Sequence, residues 1–330
     1  MSRRAVLYLT VMTLVLAVMA LASCGSGGSQ EAKKRADSTP TIAFMKQDAE
    51  GFEQTWVANA DLSDQVKLTS EPADSGWAVW KPGGGKLAFE SNRADPDTTD
   101  SDEINEVFTM NPDGSAVAKL TNSKGYSGTL GWSPDGTKIA FDSDLGQHPQ
   151  KQGIYVMDAD GSNVRRVTTL PENKEYDTAP RFSPDGKRIV FTRYITDPGV
   201  AALFTVGVDG SGLKQLTPWD NGAGDAHWSP DGTQIVFEAH PSPDSYGEIF
   251  TIDADNGQQL TNLTNNQRSG GGSADPVWSP DGKKILFLSE HFFSGESGIG
   301  LATMTPDGTD RHFISPNPVE MHQPDWEPAP

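Results

Sequence analysis

The sequence predicts an all-β protein in which one four-stranded sheet is repeated six times, and three observations carry that expectation. An aromatic residue enters a tight turn at Trp132-Ser133-Pro134-Asp135-Gly136, Phe182-Ser183-Pro184-Asp185-Gly186, Trp228-Ser229-Pro230-Asp231-Gly232 and Trp278-Ser279-Pro280-Asp281-Gly282. Abbreviated copies at Trp80-Lys81-Pro82-Gly83-Gly84 and Trp326-Glu327-Pro328 complete a series with steps of 52, 50, 46, 50 and 48 residues. A short apolar run follows each full turn, as in Ile139-Ala140-Phe141 and Ile189-Val190-Phe191. Each interval then carries an alternating segment ending in a second turn, such as Ile154-Tyr155-Val156-Met157-Asp158-Ala159-Asp160-Gly161, and closes on Leu-Thr or its equivalent. A period in this range with four short strands per repeat is the signature of β-propeller blades.

Each element has a local cause. The first strand of a repeat ends at the turn aromatic. Proline at the second turn position fixes φ, aspartate suits the third, and glycine accepts the positive φ that follows. The second strand is the apolar run, also present at Leu87-Ala88-Phe89, Ile235-Val236-Phe237 and Ile285-Leu286-Phe287. The third is the alternating segment, and the fourth closes on Leu68-Thr69, Leu120-Thr121, Val167-Thr168, Leu216-Thr217, Leu263-Thr264 or Ile314-Ser315. Helical repeats fit poorly, because apolar runs of this length bounded by proline and glycine are too short for helices. The repeat region opens at Thr41-Ile42-Ala43-Phe44, which matches a second strand, and ends at Gln323-Pro324-Asp325-Trp326, which matches a first strand. The C-terminal strand is therefore expected to complete the N-terminal sheet, closing a six-bladed ring without a free edge.

The Trp-Ser-Pro-Asp-Gly turn, the Ile-Ala-Phe strand and the Met-Asp-Ala-Asp-Gly turn together resemble the TolB-like, WD40-like (PD40-type) propeller repeat of bacterial envelope proteins. The resemblance covers residues 41–330 and implies a six-bladed propeller. It does not by itself imply an activity, because the repeat serves scaffolds, peptidase accessory domains and a few enzymes. TolB proteins place an α/β domain before the propeller, whereas here a polar linker leads straight into the first blade.

Residues 1–23 read as a lipoprotein signal peptide. Arg3 and Arg4 precede an apolar stretch, and Leu21-Ala22-Ser23-Cys24 resembles the bacterial lipobox. Cys24 is the only cysteine in the chain, which excludes an intramolecular disulfide and fits a lipid-attachment site. Residues 24–40 are small and polar and form the expected tether. The chain carries a net charge of −19, and loss of Arg3 and Arg4 with the leader takes it to −21. Such a surface repels nucleic acid and favours cationic partners. These features place the protein in the extracytoplasmic cell envelope, held to the bilayer through acylated Cys24 as a monomer.

Functional residues are expected in the longer links, which leave one face of a propeller around its channel. They comprise Glu90 to Glu106, Ser143 to Gly153, Arg193 to Ala202, Ala239 to Glu248 and Ser289 to Gly298, with inter-blade links such as Thr217 to Ala226. Phe292, Phe293 and Trp219, with Tyr126, Tyr176 and Tyr194, supply aromatic surface near the channel mouth that suits a protein or peptide anchor. His148, His240, His291 and His322 fall in the same links and could bind a transition metal, as in propeller lyases. Asp95, Asp97, Asp100 and Asp102, with Glu103 and Glu106, form an acidic run whose oxygens could collect Ca2+. A nucleophilic hydrolase is excluded: there is no Gly-x-Ser-x-Gly elbow, and no phosphate-binding or dinucleotide glycine loop appears either. The expectation is a non-enzymatic, cofactor-free scaffold that binds an envelope protein or peptide at the channel face. The alternatives are a carbohydrate or small-ligand binding protein and a metal-dependent polysaccharide lyase.

Overall fold

The computed structural model describes residues 41–328 apart from 71, 94–103, 146–151, 171–174, 197–198, 220–221, 241, 243–244, 267–270, 294–295 and 316–320. Among the described residues, 24 strands form six four-stranded sheets. Blade 1 combines β1 (Thr41–Gln47), β2 (Glu53–Asn59) and β3 (Val66–Lys67) with the last strand, β24 (His322–Trp326). Blade 2 holds β4 (Ser75–Trp80), β5 (Leu87–Ser91), β6 (Glu106–Met110) and β7 (Ala118–Lys119). Blade 3 holds β8 (Ser127–Trp132), β9 (Lys138–Ser143), β10 (Gly153–Asp158) and β11 (Arg165–Arg166). Blade 4 holds β12 (Glu175–Phe182), β13 (Arg188–Ile195), β14 (Val200–Gly207) and β15 (Lys214–Gln215). Blade 5 holds β16 (Gly224–Trp228), β17 (Gln234–Ala239), β18 (Glu248–Asp253) and β19 (Thr261–Asn262). Blade 6 holds β20 (Ser273–Trp278), β21 (Ile285–Phe293), β22 (Glu296–Met304) and β23 (His312–Phe313). The ring closes as the repeat phase requires, with Ile42 opposite Trp326 and Ala43 opposite Asp325.

Packing follows the repeat. The second-strand phenylalanines Phe44, Phe89, Phe141, Phe191, Phe237 and Phe287 are all at most 2% exposed and form a ring within the wall. In blades 2 to 5 each stacks on a third-strand aromatic, with centroids 5.6 to 5.9 Å apart. The apolar clusters straddle blades: Val79, Ala88 and Val107 of blade 2 join Trp132, Ile139 and Phe141 of blade 3. Blades are thus held face to face by burial, worth about 1.5–3 kcal/mol for each large apolar side chain removed from water.

The turn face is uniform. In the four full turns the serine hydroxyl donates to the aspartate, for example Ser133 Oγ to Asp135 Oδ1 at 2.6 Å and Ser229 Oγ to Asp231 Oδ1 at 2.6 Å. Ser133, aided by Thr137, holds the Asp135 carboxyl down at about 2. The second turn of each repeat explains why both its glycine and the Leu-Thr pair recur. A Cβ on Gly161, whose φ is +87°, would lie 2.7 Å from the Leu120 carbonyl oxygen of the preceding blade. Glycine is required there by backbone conformation and by close approach together.

Two expectations are corrected. The Leu-Thr pair follows the fourth strand, which pairs over two residues only; its threonine closes the strand by accepting a third-strand amide, as Thr121 Oγ1 accepts from Val107 N at 2.9 Å and Thr168 Oγ1 from Ile154 N at 3.0 Å. The segments Arg193 to Ala202 and Ser289 to Gly298 are largely strand, not link. β13 pairs β14 from Arg188↔Gly207 to Ile195↔Val200, and β21 pairs β22 from Ile285↔Met304 to Phe293↔Glu296. The β-branched and aromatic residues at these hairpin ends favour continued pairing over an irregular link.

Candidate functional site: the channel wall and its loop face

Six inner strands surround the channel, and each breaks register at one residue. The shift lies between Gly76 and Val79 in blade 2, Gly128 and Leu130 in blade 3, Thr178 and Arg181 in blade 4, Gly224 and His227 in blade 5, and Ala274 and Val277 in blade 6. In blade 1 it falls between Ala43 and Met45 opposite β24. The bulged residues all have positive φ: Trp77 49°, Thr129 29°, Ala179 54°, Asp225 47°, Asp275 49° and Gln323 53°. A bulge of this kind turns a side chain out of the pleat, here towards the channel. Two residues further on, a second ring is formed by Val79, Gly131, Arg181, His227, Val277 and Asp325, each immediately before the turn aromatic.

The bulged amides tie the blades together. The Gln323 N–H donates to Asp275 Oδ2 at 2.9 Å, Trp77 N–H to Gln323 Oε1 at 3.0 Å and Thr129 N–H to Glu90 Oε2 at 2.9 Å. Ala179 N–H donates to Thr129 Oγ1 at 3.0 Å and Asp275 N–H to Glu238 Oε2 at 3.2 Å. In each case a side chain of one blade satisfies the strained backbone of the next. The second ring does the same: Asp325 Oδ2 accepts from Trp80 N–H at 2.8 Å, and Arg181 donates to the carbonyl of Leu130.

Residues of the two rings from every blade but the third line a cavity with about 30 Å³ of space, enough for water. Its wall is uneven. Blade 2 contributes Trp77, Ala78 and Val79, none ionisable, while the other blades bring Arg181, Asp225, His227, Asp275 and Asp325, with Glu238 beside Asp225 and Asp275. Carboxylate oxygens of Asp225, Glu238 and Asp275 all lie within 4.8 Å of one another. Burial pushes Glu238 well up from the ordinary carboxylate range, reinforced by Asp225 and Asp275. Burial likewise raises Asp275 and lifts Asp325 to about 6, against the opposing pull of Arg181 and of their backbone donors. His227 is driven down to about 3 by burial and by Arg181, so its ring is neutral. Its Nδ1 faces the Trp278 amide at 3.4 Å.

A second cavity of about 160 Å³ opens on the loop face between blades 1 and 2, lined by Met45, Glu53, Asp74, Gly76, Glu90 and Asn105 among others. Trp77 lines both cavities and separates them.

The aromatic residues singled out from the sequence line neither cavity and take separate settings. Tyr176 and Tyr194 pair across β12 and β13 and stack with centroids 4.9 Å apart at 8°. Tyr126 donates its hydroxyl to Glu90 Oε2 at 3.1 Å. Trp219 is half-buried, tilted at 54° against Phe204 with centroids 5.5 Å apart. Phe292 and Phe293 lie at the loop-face end of β21, opposite Ser297 and Glu296. The exposed aromatic in the described links is Tyr246, at 55%.

Among the described residues no three histidines, or histidines with acidic partners, come together as a metal-binding group. His148 lies outside the described residues. His240 follows β17 with Nδ1 3.1 Å from the Ser245 carbonyl, His291 is in β21, and His322 pairs Met45 in β24 instead of lying in a link. Asp95, Asp97, Asp100, Asp102 and Glu103 lie outside the described residues, as do Cys24 and the tether. Glu106 does not belong to a solvated run: it is 1% exposed at the start of β6, accepts from Thr121 Oγ1 and from Ser123 N–H, and pairs with Lys119 Nζ at 3.2 Å.

The fold and wall define a class: a six-bladed propeller, closed by its own last strand, around a polar, acid-rich channel. The comparisons then narrow it. The family model described as the TolB beta propeller domain matches residues 169–329. An uncharacterised protein of Agrobacterium fabrum is 32% identical over 131 residues, covering 40% of this chain and 40% of that protein. The Tol-Pal system protein TolB of Roseobacter denitrificans is 29% identical over 119 residues, or 32% of this chain and 24% of that protein. The matched stretches thus span well under half the length of these relatives. The crystal structure of TolB from Acinetobacter baumannii superposes with a TM-score of 0.67 at 20% identity, covering 88% of this chain and 67% of that one. The chain is a TolB-like β-propeller protein.

Proposed function

We propose that this protein is an extracytoplasmic, lipid-anchored scaffold that binds an envelope protein or peptide at the loop face of its channel, and that it is not an enzyme. The observation that carries the reading is the asymmetry between the two faces. The turn face repeats one hydrogen-bonded design, whereas on the loop side Trp77 lines two cavities, Tyr126 bonds Glu90 in the wall of the second, and Tyr176 stacks on Tyr194. Rigid aromatic side chains beside a recess are what anchor residues of a partner need. The likeness to Tol-Pal system TolB proteins supports an envelope setting, and the lipobox at Cys24 supports attachment to a membrane.

The test is a pull-down from solubilised envelope with residues 36–330 as bait and a Trp77→Ala, Tyr194→Ala variant beside it. Capture of one partner by the parent chain and its loss with the variant is the expected result; equal capture by both removes the site. The stacked Tyr176–Tyr194 pair gives the second reading, a carbohydrate ligand, its own observation. That reading requires thermal stabilisation by glycans that disappears with Tyr194→Ala.

A further inference from the structure

The carboxylates that tie blades 5, 6 and 1 together serve a second purpose. Glu238 accepts the Asp275 amide across the seam between blades 5 and 6, Asp275 accepts the Gln323 amide between blades 6 and 1, and Asp325 accepts the Trp80 amide between blades 1 and 2. Two of these acceptors, Glu238 and Asp275, bring carboxylate oxygens within 4.8 Å of one another and of Asp225, and Asp325 lines the same cavity as Asp225 and Asp275. The groups around them are few. Arg181 comes from β12, Asp225 and the neutral His227 from β16, Glu238 from β17, Asp275 from β20 and Asp325 from β24, with His322 at the loop-face start of the same strand. At the rim Glu290 of β21 accepts from the Gly272 amide at 3.2 Å, and Glu90 of β5 accepts from the Thr129 amide. The Arg181 guanidinium therefore stands against four carboxylates, and the three whose oxygens lie within 4.8 Å cannot all stay charged in a poorly solvated site.

We propose that this sector is a proton-operated latch: the carboxylates that join successive blades share protons with one another, so that acidification both tightens the ring and discharges the channel wall.

The sign follows from linkage. Glu238, Asp275 and Asp325 are all raised in the folded state. Their stabilisation is complete below the ordinary carboxylate range, about 4, and is lost as pH rises through the folded values, about 6 for Asp325. His227 works in the opposite direction. Held at about 3, it stabilises above the ordinary histidine value and loses that contribution as pH falls. The comparison must therefore be made between chains that all retain His227. The inference stands apart from partner binding and needs no partner for its test.

Thermal unfolding of the full chain is followed from about pH 8 to about pH 5, a window chosen to cross the raised carboxylates, for the parent protein, Glu238→Gln and Asp325→Asn. Both amides keep an oxygen for the backbone donor. The variants are expected to melt above the parent at the alkaline end, with the gap closing at the acid end; a gap that does not move with pH overturns the latch. Should the variants not fold, calorimetry of the parent at about pH 6 in buffers of different ionisation enthalpy decides, since protons released by the carboxylates on unfolding must offset the proton that His227 takes up. Uptake of nearly the whole proton that His227 alone would bind overturns it. The profile is also expected to be unchanged by EDTA, and a profile that EDTA abolishes means that a bound cation balances the charge instead.

Discussion

The turn face and the channel wall are cut from the same six repeats, yet the first is nearly identical in four blades and the second changes in chemistry around the ring. At the turns, Ser133, Ser183, Ser229 and Ser279 make the same bond to the aspartate two residues on. One residue before the turn aromatic, the wall reads Val79, Gly131, Arg181, His227, Val277 and Asp325. Backbone geometry dictates the first set, because each turn needs the same hydroxyl, the same carboxylate and the same positive φ. The wall is held by the shared bulge, and the side chains that the bulge presents are free to differ. Repetition marks what the ring needs, and variation at a repeated position marks what this ring does.

That contrast can be broken from the frame side first. Phe141→Ala removes a fully buried ring stacked on Tyr155 and is expected to cost about 3–5 kcal/mol in chemical denaturation. Asp177→Ala strips the bidentate partner from buried Arg193, whose Nε lies 2.6 Å from Asp177 Oδ1 and whose guanidinium sits over Phe191 and Phe204. The loss should approach about 3 kcal/mol, because the buried charge keeps only Glu175, 3.9 Å away, as an ionic partner. A double change that also makes Arg193 methionine should recover part of it. Thr121→Val deprives the Val107 amide and the Glu106 carboxylate of one partner, an expected loss of about 1–3 kcal/mol by the same measurement.

Smaller effects sharpen the distinction. Asp135 is depressed to about 2 chiefly by the Ser133 hydroxyl, so its stabilisation exists above the ordinary carboxylate value and is lost as pH falls towards 2. Ser133→Ala should therefore cost about 1 kcal/mol near neutrality and flatten the acid limb of the stability curve, read as melting temperature against pH. Trp77→Ala is expected to leave the melting temperature nearest the parent's and to abolish partner capture. Stability lost with binding retained would instead assign Trp77 to the frame.

The frame is legible in the sequence because turn chemistry and strand alternation are local. Proline, aspartate and glycine at fixed offsets state a turn, and the phase of Ile42 against Trp326 states the closure. The wall is legible only in part. Tyr126, Tyr176 and Tyr194 are aromatic and stand out, but Asp225, His227, Glu238 and Asp325 look like ordinary polar residues of exposed strands. What brings them together is the curvature of the ring, which joins blades some fifty residues apart in sequence. The signal that finds them is columnar: with the six repeats set in register, the residue before the turn aromatic and the one two places earlier change most in chemistry. Hairpin lengths in blades 4 and 6 escape for a different reason, since β-branched and aromatic residues such as Ile195, Phe292 and Phe293 carry the pairing past the point where the sequence turns polar.

The closure at β24 also sets a direction. Inner strands run from the loop face to the turn face, so β1, the second strand of its blade, starts on the turn face with Thr41 opposite Asn59. Whatever precedes Thr41 departs from that side. On the proposed anchoring through Cys24, the chain would therefore enter the ring from the side of the uniform turns, opposite the loop face.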